Sequence, residues 1–388
     1  MKKTAAEAIP YNGFEQGPIR PPSEAASLLI RVTRNCPWNR CTFCPVYKGQ
    51  TFSLRPVNHV LTDIDTIHRS VTSIRERSGT SGKISRDAIA SLSAAAGPGE
   101  RMALNAALHW AANGMRSIFL QDANSLIIKP ERLLTILGRL RDRFPWVERI
   151  TSYARSQTIA RISDTDLALM AAAGLNRIHI GMESGSNRVL TMVGKGVDKA
   201  THIRAGLKVK RAGMELSEYV MPGLGGRALS REHALETADA LNRINPDFIR
   251  LRTLALPSHI ELHREISQGT FEKQNDREIV EEILLFLETL DGIDSTLKSD
   301  HILNLLEDIE GKFPQDKQKM TAVARAFLAL APEEQVLYRI GRRIGLFSGL
   351  GDLHDPARRA KAQETCARLG ITAVNVDSVV DEMMKRFI

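Results

Sequence analysis

Three cysteines stand close together in Cys36-Pro-Trp-Asn-Arg-Cys41-Thr-Phe-Cys44. Thiolates are soft ligands, and a compact cluster of them selects iron–sulfur or zinc. A structural zinc site needs a fourth ligand. The remaining cysteine, Cys366, lies far along the chain in a helical pattern and reads as a core residue. His59 and His68 are the nearest histidines downstream, and neither has ligand-type spacing. Three thiolates on a cubane iron–sulfur cluster leave one iron open to a non-protein ligand, so an incomplete set favours iron–sulfur over zinc.

The cysteines follow an apolar run, Ser27-Leu28-Leu29-Ile30-Arg31-Val32-Thr33, with the pattern of a first strand. Further strands are predicted at 117–120, 149–153, 176–182, 215–221 and 248–254. Helices are predicted between them: 130–144, a helix capped by Ser163 and ended by Gly174, 197–212, a helix capped by Ser230 and ending near Asn245-Pro246, and 279–290. Strand–helix alternation implies a parallel sheet with right-handed crossovers and a site at the C-terminal ends of its strands. A polar loop, Ser78–Lys83, and two Ala-rich helices at 86–96 and 100–112 lengthen the first crossover. Residues 1–26 read as an extended arm and 27–290 as the core domain. Residues 291–388 read as an extension of helices at 303–309, 319–330, 333–344, 356–369 and 377–387.

The cysteine loop after the first strand, with Phe43 just before its last cysteine, resembles the radical S-adenosylmethionine (radical SAM) superfamily. Strand four ends Ile178-His179-Ile180-Gly181-Met182-Glu183-Ser184-Gly185-Ser186. This segment resembles the subgroup of oxygen-independent coproporphyrinogen III oxidase and the catalytic subunit of elongator. The resemblance spans roughly residues 27–290. It implies an α/β fold, a partial (β/α)6 TIM-like barrel of parallel strands with a C-terminal helical extension. It also implies a 4Fe-4S cluster on Cys36, Cys41 and Cys44, whose open iron chelates SAM. One electron would cleave SAM to methionine and a 5′-deoxyadenosyl radical that takes hydrogen from a substrate. The family spacing usually has three residues in the first gap, where this chain has four. By the same resemblance Phe43 packs near the adenine, and Asp122, in Gln121-Asp122-Ala123-Asn124-Ser125, receives the SAM amino group. Glu183 contacts the ribose or amino group, and Ser184 and Gly185 let the backbone approach. Met221 and Gly223, in Val220-Met221-Pro222-Gly223, form a ledge for adenine. Arg155, at the end of strand three, offers a bidentate partner for the SAM carboxylate.

Other signals compete. Gly223-Leu224-Gly225-Gly226-Arg227-Ala228 fits a dinucleotide-binding pattern, although it follows the fifth strand and not the first. Asp300, His301 and Asn304 read as helix-capping residues or as substrate-side polar groups. Alternative functions are a non-catalytic cluster or haem-carrying protein on the same scaffold, and a radical SAM enzyme that modifies RNA.

Composition sets outer bounds. Apolar content is 43% and charged content 25% over 388 residues, as in an ordinary globular protein. No apolar run is long enough to span a membrane, and the first residues lack a signal-peptide core, so a cytoplasmic protein is expected. The formal net charge is +8, and residues 1–150 carry 21 Lys or Arg against 12 Asp or Glu. Arg31, Arg34, Arg40, Lys48 and Arg55 sit next to the cysteines. Such a surface would steer an acidic electron donor, a flavodoxin or ferredoxin, or bind RNA. A small-molecule substrate is the other expected partner.

Overall fold

Short runs rich in Ile, Leu, Val and Phe become strands, and periodic apolar stripes become the helices that cover them. The computed structural model describes residues 10–79 and 84–385. The signal-peptide reading of residues 1–7 and most of the expected Ser78–Lys83 loop lie outside the described residues. The strands are β1 (Leu28–Arg31), β2 (Thr33–Arg34), β3 (Ser53–Leu54), β4 (Ser117–Gln121), β5 (Arg149–Ala154), β6 (Leu175–Glu183), β7 (Glu215–Val220), β8 (Phe248–Leu251), β9 (Thr296–Lys298) and β10 (Gly311–Lys312). Eight of them form a mainly parallel sheet in the order β1-β4-β5-β6-β7-β8-β9-β10, while β2 and β3 pair separately. Strand order never reverses. That is the winding of a barrel wall and not of a doubly wound sheet. The expected α/β class therefore holds.

The described residues group into two compact units. One holds residues up to Pro37, Gly49–Ile178 and Ala212–Met214. The other holds Trp38–Lys48, His179–Arg211 and Glu215 onward. In the first unit β1, β4 and β5 pair in parallel, with Leu28 opposite Ile118 and Phe119 opposite Thr151. A helix not expected from the sequence, Val57–Arg77, buries Val60, Ile64, Ile67, Val71 and Ile74 along one stripe. The Ala-rich helices appear at Arg86–Ala95 and Arg101–Ala112. Trp110 anchors the latter, donating its indole N–H to the Ser117 carbonyl (2.9 Å) and meeting Phe144 edge-on.

In the second unit β7, β8 and β9 pair in parallel and β10 adds antiparallel to β9. Helices Lys199–Arg211, Gly226–Ile244 and Asp276–Thr289 flank them in sequence. Two expectations fail here. Ser230 does not cap its helix, which begins earlier, at Gly226. The Arg227 N–H is satisfied by the Glu272 carbonyl (2.9 Å), and the Ser230 hydroxyl donates to Glu282 (2.7 Å). Residues 303–309 form turns and not a helix. Arg343 donates to the Leu303 carbonyl (2.9 Å), and Arg342 to those of Asn304 (3.2 Å) and Leu305 (3.0 Å). Carbonyls that a helix would bond internally are met by guanidinium groups. The later helices form at Lys317–Ala329, Pro332–Arg343, Pro356–Arg368 and Val376–Met384. Cys366, expected in the core, is half-buried and packs against the edge of the cluster of Val336, Ile340 and Ile371.

Candidate functional site

The segment from Cys36 to Cys44 leaves the first unit at Pro37 and enters the second at Trp38. In the first unit Cys36 is half-buried, just past β2. The residue before it, Asn35, has φ +67°. That turn is held by Asp122, at the end of β4, which accepts from the Asn35 amide N–H (3.0 Å). Asp122 is buried, and it also accepts from Arg31 Nη2 (2.8 Å) and Nε (3.2 Å). The expected acceptor of an ammonium group is thus already answering a guanidinium. Arg155 precedes helix Ser156–Arg161, and its amide N–H donates to Asn124 Oδ1 (3.0 Å).

The arginines beside the cysteines are largely spent within the first unit. Glu15, on the N-terminal arm, pairs with Arg31 (3.4 Å), Arg34 (2.7 Å) and Arg55 (2.5 Å). Arg55 also pairs with the buried Asp63 (2.6 Å), which receives the Tyr11 hydroxyl (2.8 Å). Burial works against ionisation of Glu15, yet its three arginines hold it below the usual carboxylate range. Of the five cations next to the cysteines, Arg31, Arg34 and Arg55 are neutralised here. In the second unit Lys48 pairs with Glu261 (3.1 Å), while Arg40 is exposed and lies over the Trp38 ring.

In the second unit the cysteine loop rests on an apolar bed. Cys41 and Phe43 are buried among Val189, Val193, Met221, Leu224 and Leu254, with Trp38 and Cys44 against the same cluster. Hydrogen bonds fix the loop. The Thr42 N–H donates to the Val193 carbonyl (3.0 Å) and the Thr42 carbonyl accepts from the Leu262 N–H (3.1 Å). The Trp38 indole N–H donates to the Gly194 carbonyl (2.7 Å) and the Asn39 amide to the Tyr47 carbonyl (2.6 Å). Gly196, at φ +68°, is required beneath Trp38, because a Cβ there would lie 2.1 Å from the indole.

Glu183 ends β6 in the left-handed region, at φ +64°. Its carbonyl accepts from the Met221 N–H (3.0 Å), and its Oε1 accepts from Lys195 Nζ (3.1 Å). Lys195 also lies 5.7 Å from the Phe43 ring centroid. Phe43, Glu183, Met221 and Lys195 are therefore gathered around one spot, and Lys195 is the member that sequence reasoning missed. Its only sequence signal is its place between two glycines, Gly194-Lys195-Gly196. Ser184 is turned to internal bracing: its hydroxyl meets His233 Nδ1 (2.8 Å) and accepts from the Ser186 N–H (3.0 Å). Gly185 abuts helix Gly226–Ile244, where a Cβ would lie 2.3 Å from the Glu236 carbonyl. The Gly223 N–H donates to Glu282 (2.8 Å).

A second missed residue is Glu218 on β7. It is fully buried, and neither carboxylate oxygen has a hydrogen-bond partner. Burial, reinforced by Glu183 and opposed by Lys195, pushes its carboxyl well above the ordinary glutamate range.

Among the described residues no three His, Cys, Asp or Glu side chains are arranged to hold a single metal ion. The donor set is three thiolates, two of them on an apolar bed beside an aromatic ring, which fits a cluster that must be kept from water.

No family model matches the chain. One similar curated protein is the tRNA uridine(34) acetyltransferase of Methanocaldococcus infernus, 23% identical over 122 residues, or 31% of this chain. The chain spans only 23% of that relative's length in the match. Solved structures similar to this chain are of radical SAM enzymes. One is the radical SAM methyltransferase TsrM of Kitasatospora setae, with TM-score 0.43 and 15% identity over 63% of this chain and 39% of that one. Another is coproporphyrinogen III oxidase of Escherichia coli, with TM-score 0.44 and 12% identity over 93% of this chain and 90% of that one.

Proposed function

We propose that this chain is a radical SAM enzyme whose 4Fe-4S cluster is held by Cys36, Cys41 and Cys44. The observation that carries the reading is the incomplete thiolate set, two members of which lie on a packed loop beside Phe43, Met221, Glu183 and Lys195. When bound, the cluster supplies the electron that splits SAM reductively, the kind of chemistry a cofactor carries while the protein orients and dries it. The residues do the rest. Cys41 and Phe43 hold one wall dry, and Phe43 and Met221 offer apolar contact to an adenine. Glu183 accepts hydrogen bonds from ribose hydroxyls or an ammonium. Lys195 balances Glu183 and offers its ammonium to a carboxylate. Asp122 keeps the turn before Cys36 in place through Arg31 and the Asn35 amide.

The domain reading retained here is an arm to residue 26, a core to residue 290 and an extension beyond it. A cytoplasmic setting suits thiolates that must stay reduced. No helix among the described residues is long and apolar enough to cross a membrane. An acidic flavodoxin or ferredoxin would supply the electron, and a small molecule would supply the hydrogen. RNA is the second substrate reading, favoured by the partial match to a tRNA-modifying enzyme and by the net charge of +8. Anaerobic reconstitution tests the proposal: the protein should take up about four irons and four sulfides, with a reduced EPR signal that changes when SAM is added. Stoichiometric zinc without iron uptake would contradict it.

A further inference from the structure

We propose that Arg252 and His301 together form a receptor for an oxyanion, a carboxylate or phosphate carried by the substrate. The inference rests on the reading above, which puts the substrate at the C-terminal ends of the strands.

Arg252 directly follows β8, and its amide N–H donates to the Val220 carbonyl (2.9 Å), which fixes its backbone. Its side chain is exposed, and among the described residues it has no carboxylate within ion-pair distance. Arg250 shares its side of the strand, because side chains alternate. That arginine is spent: it pairs with Asp300 (2.6 Å) and donates to the Ser217 hydroxyl (3.2 Å). The strand end thus carries one neutralised guanidinium and one that is uncompensated.

His301 follows Asp300 in a loop pinned to the same strand end. Asn304 Oδ1 accepts from the Thr253 N–H (2.9 Å) and hydroxyl (2.9 Å). Its Nδ2 donates to the Leu251 carbonyl (2.9 Å) and the Ser299 hydroxyl (3.0 Å). The Leu303 N–H approaches His301 Nδ1 (3.4 Å), which assigns the proton of the neutral ring to Nε2. Burial and then the Arg252 charge, opposed by Asp300, lower the His301 pKa to about 4. The imidazole is therefore neutral at physiological pH and offers one N–H donor, while Arg252 supplies the charge. Ile302, 59% exposed, adds an apolar flank for the body of an acidic organic molecule.

The linkage gives a direct test. An anion seated beside His301 favours its charged form, so its pKa must rise. NMR titration of the His301 imidazole in the full chain should show its midpoint move up by about 1 unit in saturating inorganic phosphate. In Arg252→Met the midpoint without phosphate should already be higher, and the phosphate response should be lost. An unmoved midpoint in phosphate would overturn the proposal. So would a phosphate response that survives in Arg252→Met, which would show an adventitious ion only. The readout needs neither cluster nor SAM. A protein that cleaves SAM yet shows no phosphate response refutes this inference alone. A phosphate response without SAM cleavage supports the receptor and removes the radical reading.

Discussion

Glu183 and Lys195 form the pair on which SAM placement depends in this account. Glu183→Gln should weaken SAM binding by roughly tenfold to a hundredfold, the worth of a charge-assisted hydrogen bond of about 1.5–3 kcal/mol, with iron content unchanged. Equilibrium binding on the reconstituted protein checks this, and an unaltered affinity would reassign Glu183 to bracing β6. Asp122 belongs to a different class. Its removal leaves the largely buried Arg31 under-compensated, so Asp122→Ala should lower stability by about 3 kcal/mol in denaturant unfolding. Glu218 predicts a pH dependence. Its folded-state pKa lies above the ordinary glutamate value, so the folded chain holds a proton that the unfolded chain releases as pH rises. Stability from this site is present below the unfolded pKa and is lost as pH climbs through the window up to the folded pKa. Glu218→Gln should therefore stabilise the protein, with a larger gain at pH 8 than at pH 5. A pH-independent difference between the two proteins would show that Glu218 ionises normally. The three cysteines stood out by their spacing, whereas Phe43 and Glu183 entered only through the family resemblance. Lys195, Glu218 and Arg252 were not legible, because a lone lysine, glutamate or arginine acquires meaning only from what the fold sets beside it.

At the scale of elements, the strands were legible wherever a run of apolar residues met a break: β1, β4, β5, β6, β7 and β8 all lie within the expected segments or overlap them. The short β9 and β10 were missed because three- and two-residue strands carry no period. Helix Val57–Arg77 was missed because its stripe is interrupted by Thr, Asp, His and Arg, and its N-terminus has no side-chain cap. Residues 303–309 were misread for the opposite reason. Leu303, Leu305, Leu306 and Ile309 have a helix-like pattern and are all buried, but Arg342 and Arg343 take up the backbone carbonyls of 303–305. The cysteine loop makes a prediction at this scale. Gly196→Ala would force Trp38 aside and place a Cβ in the left-handed region, costing on the order of 1–3 kcal/mol locally. Reconstituted Gly196→Ala should lose iron to a chelator faster than the parent protein. Equal rates would mean that Trp38 does not brace the loop.

Taken as a whole, the molecule carries a positive charge that its sequence overstates as a docking surface. Arg31, Arg34 and Arg55 answer Glu15, Asp63 and Asp122, leaving Arg40 as the exposed cation beside the cysteines. Reduction by a flavodoxin should therefore slow with ionic strength only modestly, since of the five cations beside the cysteines Arg40 alone is exposed to screening over a Debye length of about 8–10 Å. Arg40→Ala should slow that reaction and leave reduction by dithionite unchanged; stopped-flow rates across a salt series decide it. The central claim is that three thiolates, and no fourth, carry a cluster that cleaves SAM. The most direct test is 5′-deoxyadenosine formation by anaerobically reconstituted protein supplied with SAM and a reductant. The parent chain and Cys366→Ala should both release it, and Cys36→Ala, Cys41→Ala and Cys44→Ala should each release none. No 5′-deoxyadenosine from iron-loaded parent protein, or its undiminished release by any of those three variants, would contradict the account.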